Sequence, residues 1–337
     1  MMFATIRFGR AALFALGVVA LPAAASAAAL DATTLMSQFA LISLGDADTT
    51  GVNHIEGRSY VGGDMTATGF YSNSDGGPDV AVGDVSGTQI VGGDVLGSFQ
   101  AGGSGSIVVG GAITGSNTSG RATSTGVGAD VPGGVPVQAM KDLFTGLSAE
   151  LDALDGTGAY FSGDMNSWNF YSGAGDANGL AVLNLTSAES NSILSSNGLL
   201  NFHIDAGVTL VINVESVPAT INAKANTQAP SVLFNFAAAT SLVFGSQAFE
   251  SSILAPLADF SSPSGGTRGS MVVGSMSDMK GEIRSFTSSI STFDGDLSSV
   301  DPAPPVSTVP LPAPALLLLA GLGALGAARA RPAARAI

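Results

Sequence analysis

Between residues 58 and 116 the chain alternates short apolar, β-branched runs with glycine. A four-residue phrase returns as Val61-Gly62-Gly63-Asp64, Val82-Gly83-Asp84, Val91-Gly92-Gly93-Asp94 and Val109-Gly110-Gly111. The valines fall at 61, 82, 91 and 109, an inexact period near 18 to 21 residues with a shorter step inside it. Such a repeat predicts stacked strands joined by tight corners, where glycine supplies positive φ or close backbone approach. One rung cannot bury its apolar face alone, so neighbouring rungs must cover one another. A short helical turn is expected at 33–39 and an opening strand at 40–46. Residues 116–134 read as a Gly/Ser/Thr loop containing Pro132. The period then changes. Val137, Met140, Leu143, Phe144, Leu147, Leu151 and Leu154 follow i, i+3, i+4 spacing, with Pro136 before them and Gly156 after, which predicts a helix over about 137–154. Strand patterns resume at 179–185, 199–204, 208–214, 217–222, 231–236, 241–244, 252–255, 270–273 and 282–287. Residues 252 and 270, each opening an apolar run, stand one rung apart. The expected fold is mainly β: a single-domain β-solenoid over residues 28–300, with one long α-helix along its flank.

The two ends carry a different pattern. Arg7 and Arg10 precede an apolar stretch at 11–21, and Ala25-Ser26-Ala27 has the small residues of a signal-peptidase site, so residues 1–27 read as a secretory signal peptide. At the C-terminus a Pro-rich spacer at 301–310 leads to an uncharged apolar stretch at 311–328 and a basic tail at 329–337. The stretch is long enough for a tilted transmembrane helix, and the trailing arginines suit a cytoplasmic stop. Val309-Pro310-Leu311-Pro312-Ala313, the apolar stretch and the basic tail together resemble the VPLPA variant of the PEP-CTERM sorting signals of Gram-negative bacteria. That resemblance implies a membrane-embedded exosortase as partner and transient anchoring in the inner membrane through 311–328, before release or re-anchoring outside. Without it, the segment is an ordinary C-terminal anchor.

Charge and cysteine narrow the function. Five of the 12 basic residues lie in the processed ends, leaving seven against 26 acidic residues, a net charge of −19 for the central region. A surface of that sign repels nucleic acid. Cysteine is absent, which removes disulfides, thiol catalysis and thiolate metal sites.

A second resemblance spans about residues 35–297. Phe39 to Asp46, then Ile55 to Asp64, are similar to the N-terminal signature of the bacterial choice-of-anchor A family. Val232 to Phe236, Ala239 to Leu242, Ser252 to Pro256, and Gly281-Glu282-Ile283 through Leu297 match its C-terminal blocks. The family is regarded as adhesive, and its name refers to varied surface-attachment signals. It lends no catalytic residues. The layout is also similar to ice-binding β-helix proteins, in architecture and in the Ser252-Ile253-Leu254-Ala255-Pro256 block.

Three sets of residues invite chemistry. Asp64, Asp84 and Asp94 follow glycine corners and are candidate calcium ligands, although no RTX or EF-hand spacing is present and turn hydrogen bonding also explains them. Tyr160, Trp168 and Tyr171, with Phe161 and Phe170, either offer a carbohydrate-stacking platform or plug one end of the solenoid. Arg58, Arg268, Arg284 and Lys280 are the basic groups a secreted polysaccharide lyase or hydrolase would use. His54 and His203 are the only histidines, and no Gly-x-Ser-x-Gly elbow surrounds a serine. Ice binding would need Thr-x-Thr rows at rung spacing, whereas Thr66-Ala67-Thr68 and Thr123-Ser124-Thr125 are isolated. The expectation is an exported, non-catalytic adhesin of the outer surface or matrix that binds polymers, cells or exopolysaccharide.

Overall fold

The computed structural model describes residues 30–72, 77–115, 120–285 and 292–300. The signal-peptide, spacer and sorting-signal segments lie outside them, as does the end of the expected strand at 282–287. Among the described residues no helix is long and apolar enough to cross a membrane.

The molecule is mainly β, with three helices among the described residues: α1 (Ala32–Gln38), α2 (Val137–Asp152) and α3 (Ser187–Ser195). Its strands stack in three ladders. The first is parallel throughout and runs, in space, Thr123–Thr125, Ile107–Val109, Gln89–Val91, Arg58–Val61, Phe39–Ser43, Met271–Met279, Phe249–Ser262, Lys224–Asn235, Thr209–Val214 and Leu180–Leu185. The second joins Thr114, Leu96, Thr66 and Asp48, and continues through Met276 and Phe260 to Leu242. The third runs from the far halves of Val95–Ala101 and Met65–Ser72 through Val52–Ile55, Gly281–Arg284, Thr267–Arg268, Phe249 and Ala225. It ends at Leu199–His203 and Ser167–Tyr171, closed by the antiparallel strand Tyr160–Asp164. Successive strands visit the ladders in turn, as Phe39–Ser43, Ala47–Asp48, Val52–Ile55 and then Arg58–Val61 show.

The glycine-rich phrase has a steric cause. A Cβ on Gly62, Gly92 or Gly110 would run into the carbonyl of the preceding rung, at Leu44, Gly62 and Gly92 respectively. A Cβ on Gly63, Gly93 or Gly111 would strike the carboxylate of Asp46, Asp64 or Asp94. The glycines serve close approach, not positive φ. Val82-Gly83-Asp84 departs from the expectation. It forms the turn of an antiparallel hairpin, Val80–Val82 with Val85–Gly87, inserted between two rungs. Val61 therefore pairs directly with Val91.

Apolar residues form two clusters. One draws on all three ladders, as Val61, Met65, Phe249, Phe260 and Ile283 illustrate. The other lies between the first ladder and the helices. The inner first-ladder strands are thus buried on both faces, which explains apolar runs such as residues 180–183. Helix α2 presents Val137, Met140, Leu143, Phe144, Leu147 and Leu151 to that ladder, the stripe its spacing predicts.

Hydrogen bonds fix the helix in register. Asn184, Asn213 and Asn235 occupy one column of the first ladder. Their Nδ2 groups donate to the carbonyls of Leu154 (2.9 Å), Leu151 (2.7 Å) and Ser148 (2.9 Å). Three helical residues rise about 4.5 Å, and adjacent strands stand about 4.8 Å apart. One carbonyl in three therefore meets one asparagine per rung. The amides also bond to each other, Asn235 to Asn213 at 2.9 Å and Asn213 to Asn184 at 2.8 Å. Ser148 Oγ completes the row by donating to Asn235 Oδ1 at 2.5 Å.

Three further expectations need correction. Residues 217–222 form no strand and hold only an isolated bridge from Ile221 to Phe244. Thr123–Thr125, placed in a loop by composition, is the outermost rung of the first ladder. The segment before residue 199 contains α3, opened by a capping box in which Thr186 and Glu189 bond each other's backbone N–H.

Candidate functional site

Strand alternation divides the aromatic stretch. Phe170 is fully buried, and Trp168, Phe161 and Phe202 pack against the same cluster, so these rings close the end of the core. Trp168 meets Phe161 edge-on with centroids 5.8 Å apart. Tyr160 and Tyr171 fall on the opposite, outward face. The structure thus brings Tyr160 and Tyr171 together and sets Trp168 on the other side of the sheet.

Outside, the register Tyr160–Tyr171–His203 builds a stack of three rings. Tyr160 lies on Tyr171 with centroids 4.7 Å apart and planes 13° from parallel, and Tyr171 lies on His203 at 4.6 Å and 12°. Tyr160 is 54 % exposed and terminates the stack. Beside the rings runs a polar row. Asn201 Nδ2 donates to Ser167 Oγ at 3.0 Å and faces Asn169 Oδ1 at 3.4 Å, while His203 Nε2 lies 3.4 Å from Asn169 Oδ1. His203, Asn169 and Asn201 join the tyrosines through strand register, which no local motif marks.

Further along the third ladder lies a cleft of about 300 Å³ lined by Glu250, Arg268, Glu282 and Arg284 among others. Arg268 and Arg284 are partners in register. Glu250 stands 3.5 Å from Arg268 Nε, and Arg268 Nη1 donates to the Ser285 carbonyl at 2.6 Å. Arg284 is bound to Glu282 and lies 3.9 Å from Glu56. His54 sits between two carboxylates, 3.6 Å from Glu56 and 3.3 Å from Glu282. Two of the four basic candidates therefore meet here. Lys280 does not join them; it is exposed, 3.9 Å from Asp278. Arg58 is buried elsewhere and donates to the carbonyls of Pro78 (2.7 Å) and Gln38 (3.0 Å). Burial pulls its guanidinium below the ordinary value, against the opposing charge of Asp79.

The acidic corners divide as well. Asp46 Oδ1 accepts from Asp64 N at 2.9 Å, Asp64 Oδ1 from Asp94 N at 2.7 Å, and Asp94 Oδ1 from Ala112 N at 2.7 Å. Each carboxylate thereby ties its corner to the next rung. Asp84 is in the hairpin turn, where Oδ2 accepts from Gly133 N at 3.1 Å, apart from Asp64 and Asp94. Among the described residues no group of three or more His, Cys, Asp or Glu is arranged to hold a metal ion.

Comparison with known proteins adds a family and little more. Residues 32–285 match the family model described as "Putative Ice-binding-like adhesive domain". No curated protein matches the chain. Among solved structures, the Shewanella frigidimarina ice-binding protein_1 DUF3494 domain is 14 % identical, covering 77 % of this chain and 99 % of its own, with a TM-score of 0.30. A superposition of that quality carries no argument about function.

Proposed function

The chain belongs to the family of ice-binding-like adhesive domains, and from that premise we propose that it is an exported, non-catalytic adhesin of the cell surface or extracellular matrix. Its ligand in this reading is an extracellular polymer, a cell surface or exopolysaccharide. The three ladders, visited in turn, coil as a β-solenoid, a rigid body on which many weak contacts add. The observation that carries the reading is the outward row on the third ladder. Rings of Tyr160, Tyr171 and His203 lie beside the amides of Asn169 and Asn201, flat and open to solvent. Such a surface offers ring edges, the free face of Tyr160 and hydrogen-bonding groups to a partner without enclosing it.

Delivery follows the terminal segments. Residues 1–27 direct export, and residues 311–328 hold the protein in the inner membrane until an exosortase acts on the Val309–Ala313 motif. Intact-mass measurement of the secreted protein is expected to show loss of the N-terminal segment and of residues beyond about 310.

The test of adhesion is an array of glycans, matrix proteins and fixed cells, run beside a polysaccharide-cleavage assay. Capture on the array without chain cleavage is expected. Cleavage products from any polysaccharide would replace the adhesin with the lyase or hydrolase reading.

A further inference from the structure

We propose that the outward face of the third ladder is a single binding track for a neutral, hydroxyl-rich polysaccharide, running from the Tyr160–Tyr171 stack to the Glu250–Arg268–Glu282 cleft. This names the ligand class of the adhesive surface and so rests on that reading.

Register makes the two features one surface. Leu200 pairs with Ala225, Ala225 with Phe249, and Phe249 with Thr267, which puts both features on one ladder, with a register shift after Ala225 beside Glu250. One strand, Lys224–Asn235, separates the ring-bearing strand Leu199–His203 from the strand of Glu250. The strand of Tyr171 is three spacings from that of Glu250 and the strand of Tyr160 four, so the platform and the cleft are about 14–19 Å apart across the ladder. Strand spacing is close to the repeat of an extended pyranose chain, so successive sugars would meet successive rungs.

The chemistry of the cleft selects hydroxyl groups. A carboxylate only accepts hydrogen bonds and a guanidinium only donates, whereas a hydroxyl does both. Glu250, Arg268, Glu282 and Arg284 place acceptors and donors side by side, so adjacent sugar hydroxyls can bridge them with charge-assisted bonds. The cleft volume of about 300 Å³ is at the low end for small-molecule sites, enough for a short stretch of saccharide.

Charge argues against the anionic alternative. Around the cleft two arginines face the three glutamates Glu56, Glu250 and Glu282, so the cleft has no net positive charge to hold a uronate or sulfate. Lys224, paired with Leu199, is the one added cation on the strand between. The central region's strong negative charge repels such polymers at longer range. At the other end, the face of Tyr160 turned away from Tyr171 is free for a sugar ring to stack on.

Affinity electrophoresis tests the track, with the full chain in mild detergent run through gels containing galactomannan, mixed-linkage glucan, dextran or polygalacturonate. Retardation by at least one neutral polymer and none by polygalacturonate is expected. Tyr160→Ala, at an exposed edge position, and Glu250→Gln should each weaken that binding about tenfold. Thr66→Ala on the second ladder should leave it unchanged. Equal retardation of wild type and both third-ladder variants would overturn the proposal, as would retardation by polygalacturonate alone or by no polysaccharide. Capture by matrix proteins or cells without any polysaccharide retardation sinks the track and leaves adhesion standing. Failure of every surface to capture the protein removes both.

Discussion

Replacing Asn213 by alanine is the sharpest probe of what holds α2 to the sheet. Asn213 is 4 % exposed and sits in the middle of the asparagine column. Its Nδ2 donates to Leu151 O and Asn184 Oδ1, and its Oδ1 accepts from Asn235 Nδ2. Truncation removes all three bonds, each with a net value of about 1 kcal/mol. The partners are not fully stranded. Leu151 O still accepts from Leu154 N at 3.3 Å, and Asn235 Nδ2 still reaches Ser148 O. The expected loss is therefore about 2–3 kcal/mol, or a fall in Tm of about 4–5 °C for a protein of this size. Asn184 lies at the exposed end of the column, where water replaces the lost amide, so Asn184→Ala should cost only about 0.5–1 kcal/mol.

Asn213→Asp should be worse than the truncation. It keeps the shape but points a carboxylate oxygen at Leu151 O and Asn184 Oδ1, both acceptors. An unpaired buried charge costs about 3–5 kcal/mol. Urea unfolding followed by far-UV circular dichroism and by fluorescence of Trp168, the single tryptophan, gives these values. A double-mutant cycle with Asn235→Ala should return a coupling of about 1 kcal/mol. If Asn213→Ala costs no more than Asn184→Ala, or the coupling is absent, the column is a passive neighbour of the helix and the reasoning fails.

Three further outcomes are expected. Gly93→Ala should cost about 1–3 kcal/mol because its Cβ overlaps the Asp64 carboxylate, whereas Gly156→Ala, with one ordinary contact to Val182 O at 3.6 Å, should be nearly neutral in the same melts. EDTA should leave the Tm unchanged, since Asp46, Asp64 and Asp94 each already bind the next corner's N–H; a calcium-dependent rise in Tm that disappears in Asp64→Asn would make the corners ligands after all. Burial, reinforced by the charge of Asp130, pushes the Tyr60 phenol well above its ordinary value of 10.0. The unfolded chain then loses this proton at a lower pH than the folded one. Stability is intact below pH 10 and falls as pH rises beyond it, and Tyr60→Phe should flatten that alkaline slope in melts between pH 8 and 11.

The sequence made some of this structure legible, for physical reasons that particular residues show. Helix α2 announced itself because one side of it is buried, which leaves a 3.6-residue stripe from Val137 to Leu151. Gly-Gly-Asp announced the corners because rung-to-rung approach leaves no room for a Cβ. The same residues also suit a hairpin turn, which is why Val82-Gly83-Asp84 imitated a rung. The asparagine column was hidden by spacing: connections between rungs vary in length, so Asn184, Asn213 and Asn235 show no period. Their shared setting, an asparagine inside an apolar run, was the available signal. The Thr186–Glu189 capping box was equally visible and marked α3. The cleft was not. Glu250, Arg268, Glu282 and His54 converge only through ladder register, which no local pattern encodes. For Tyr160 and Tyr171 the residue types were readable, but their separation from Trp168 needed the strand phase.

The placement of the opening strand explains why one helix matters so much to the body. Phe39–Ser43 does not begin the first ladder; it lies between Arg58–Val61 and Met271–Met279, in the middle. The ladder is thus two stacks, one continuing to Thr123–Thr125 and one to Leu180–Leu185, joined at a seam between chain segments far apart in sequence. Leu41 to Met271, Ile42 to Val272 and Ser43 to Val273 are the pairs across it. Closing such a seam carries a high loop-entropy cost before any contact forms. Helix α2 spans it from outside. Near its start Tyr60 Oη donates to Pro136 O at 3.4 Å on one stack, and near its end Leu154 O accepts from Asn184 on the other. In between, Ile42 and Val272 on either side of the seam belong to the same apolar cluster as the helix stripe. The helix therefore acts as a splint across the join, and the asparagine column fixes where along the ladder it is set.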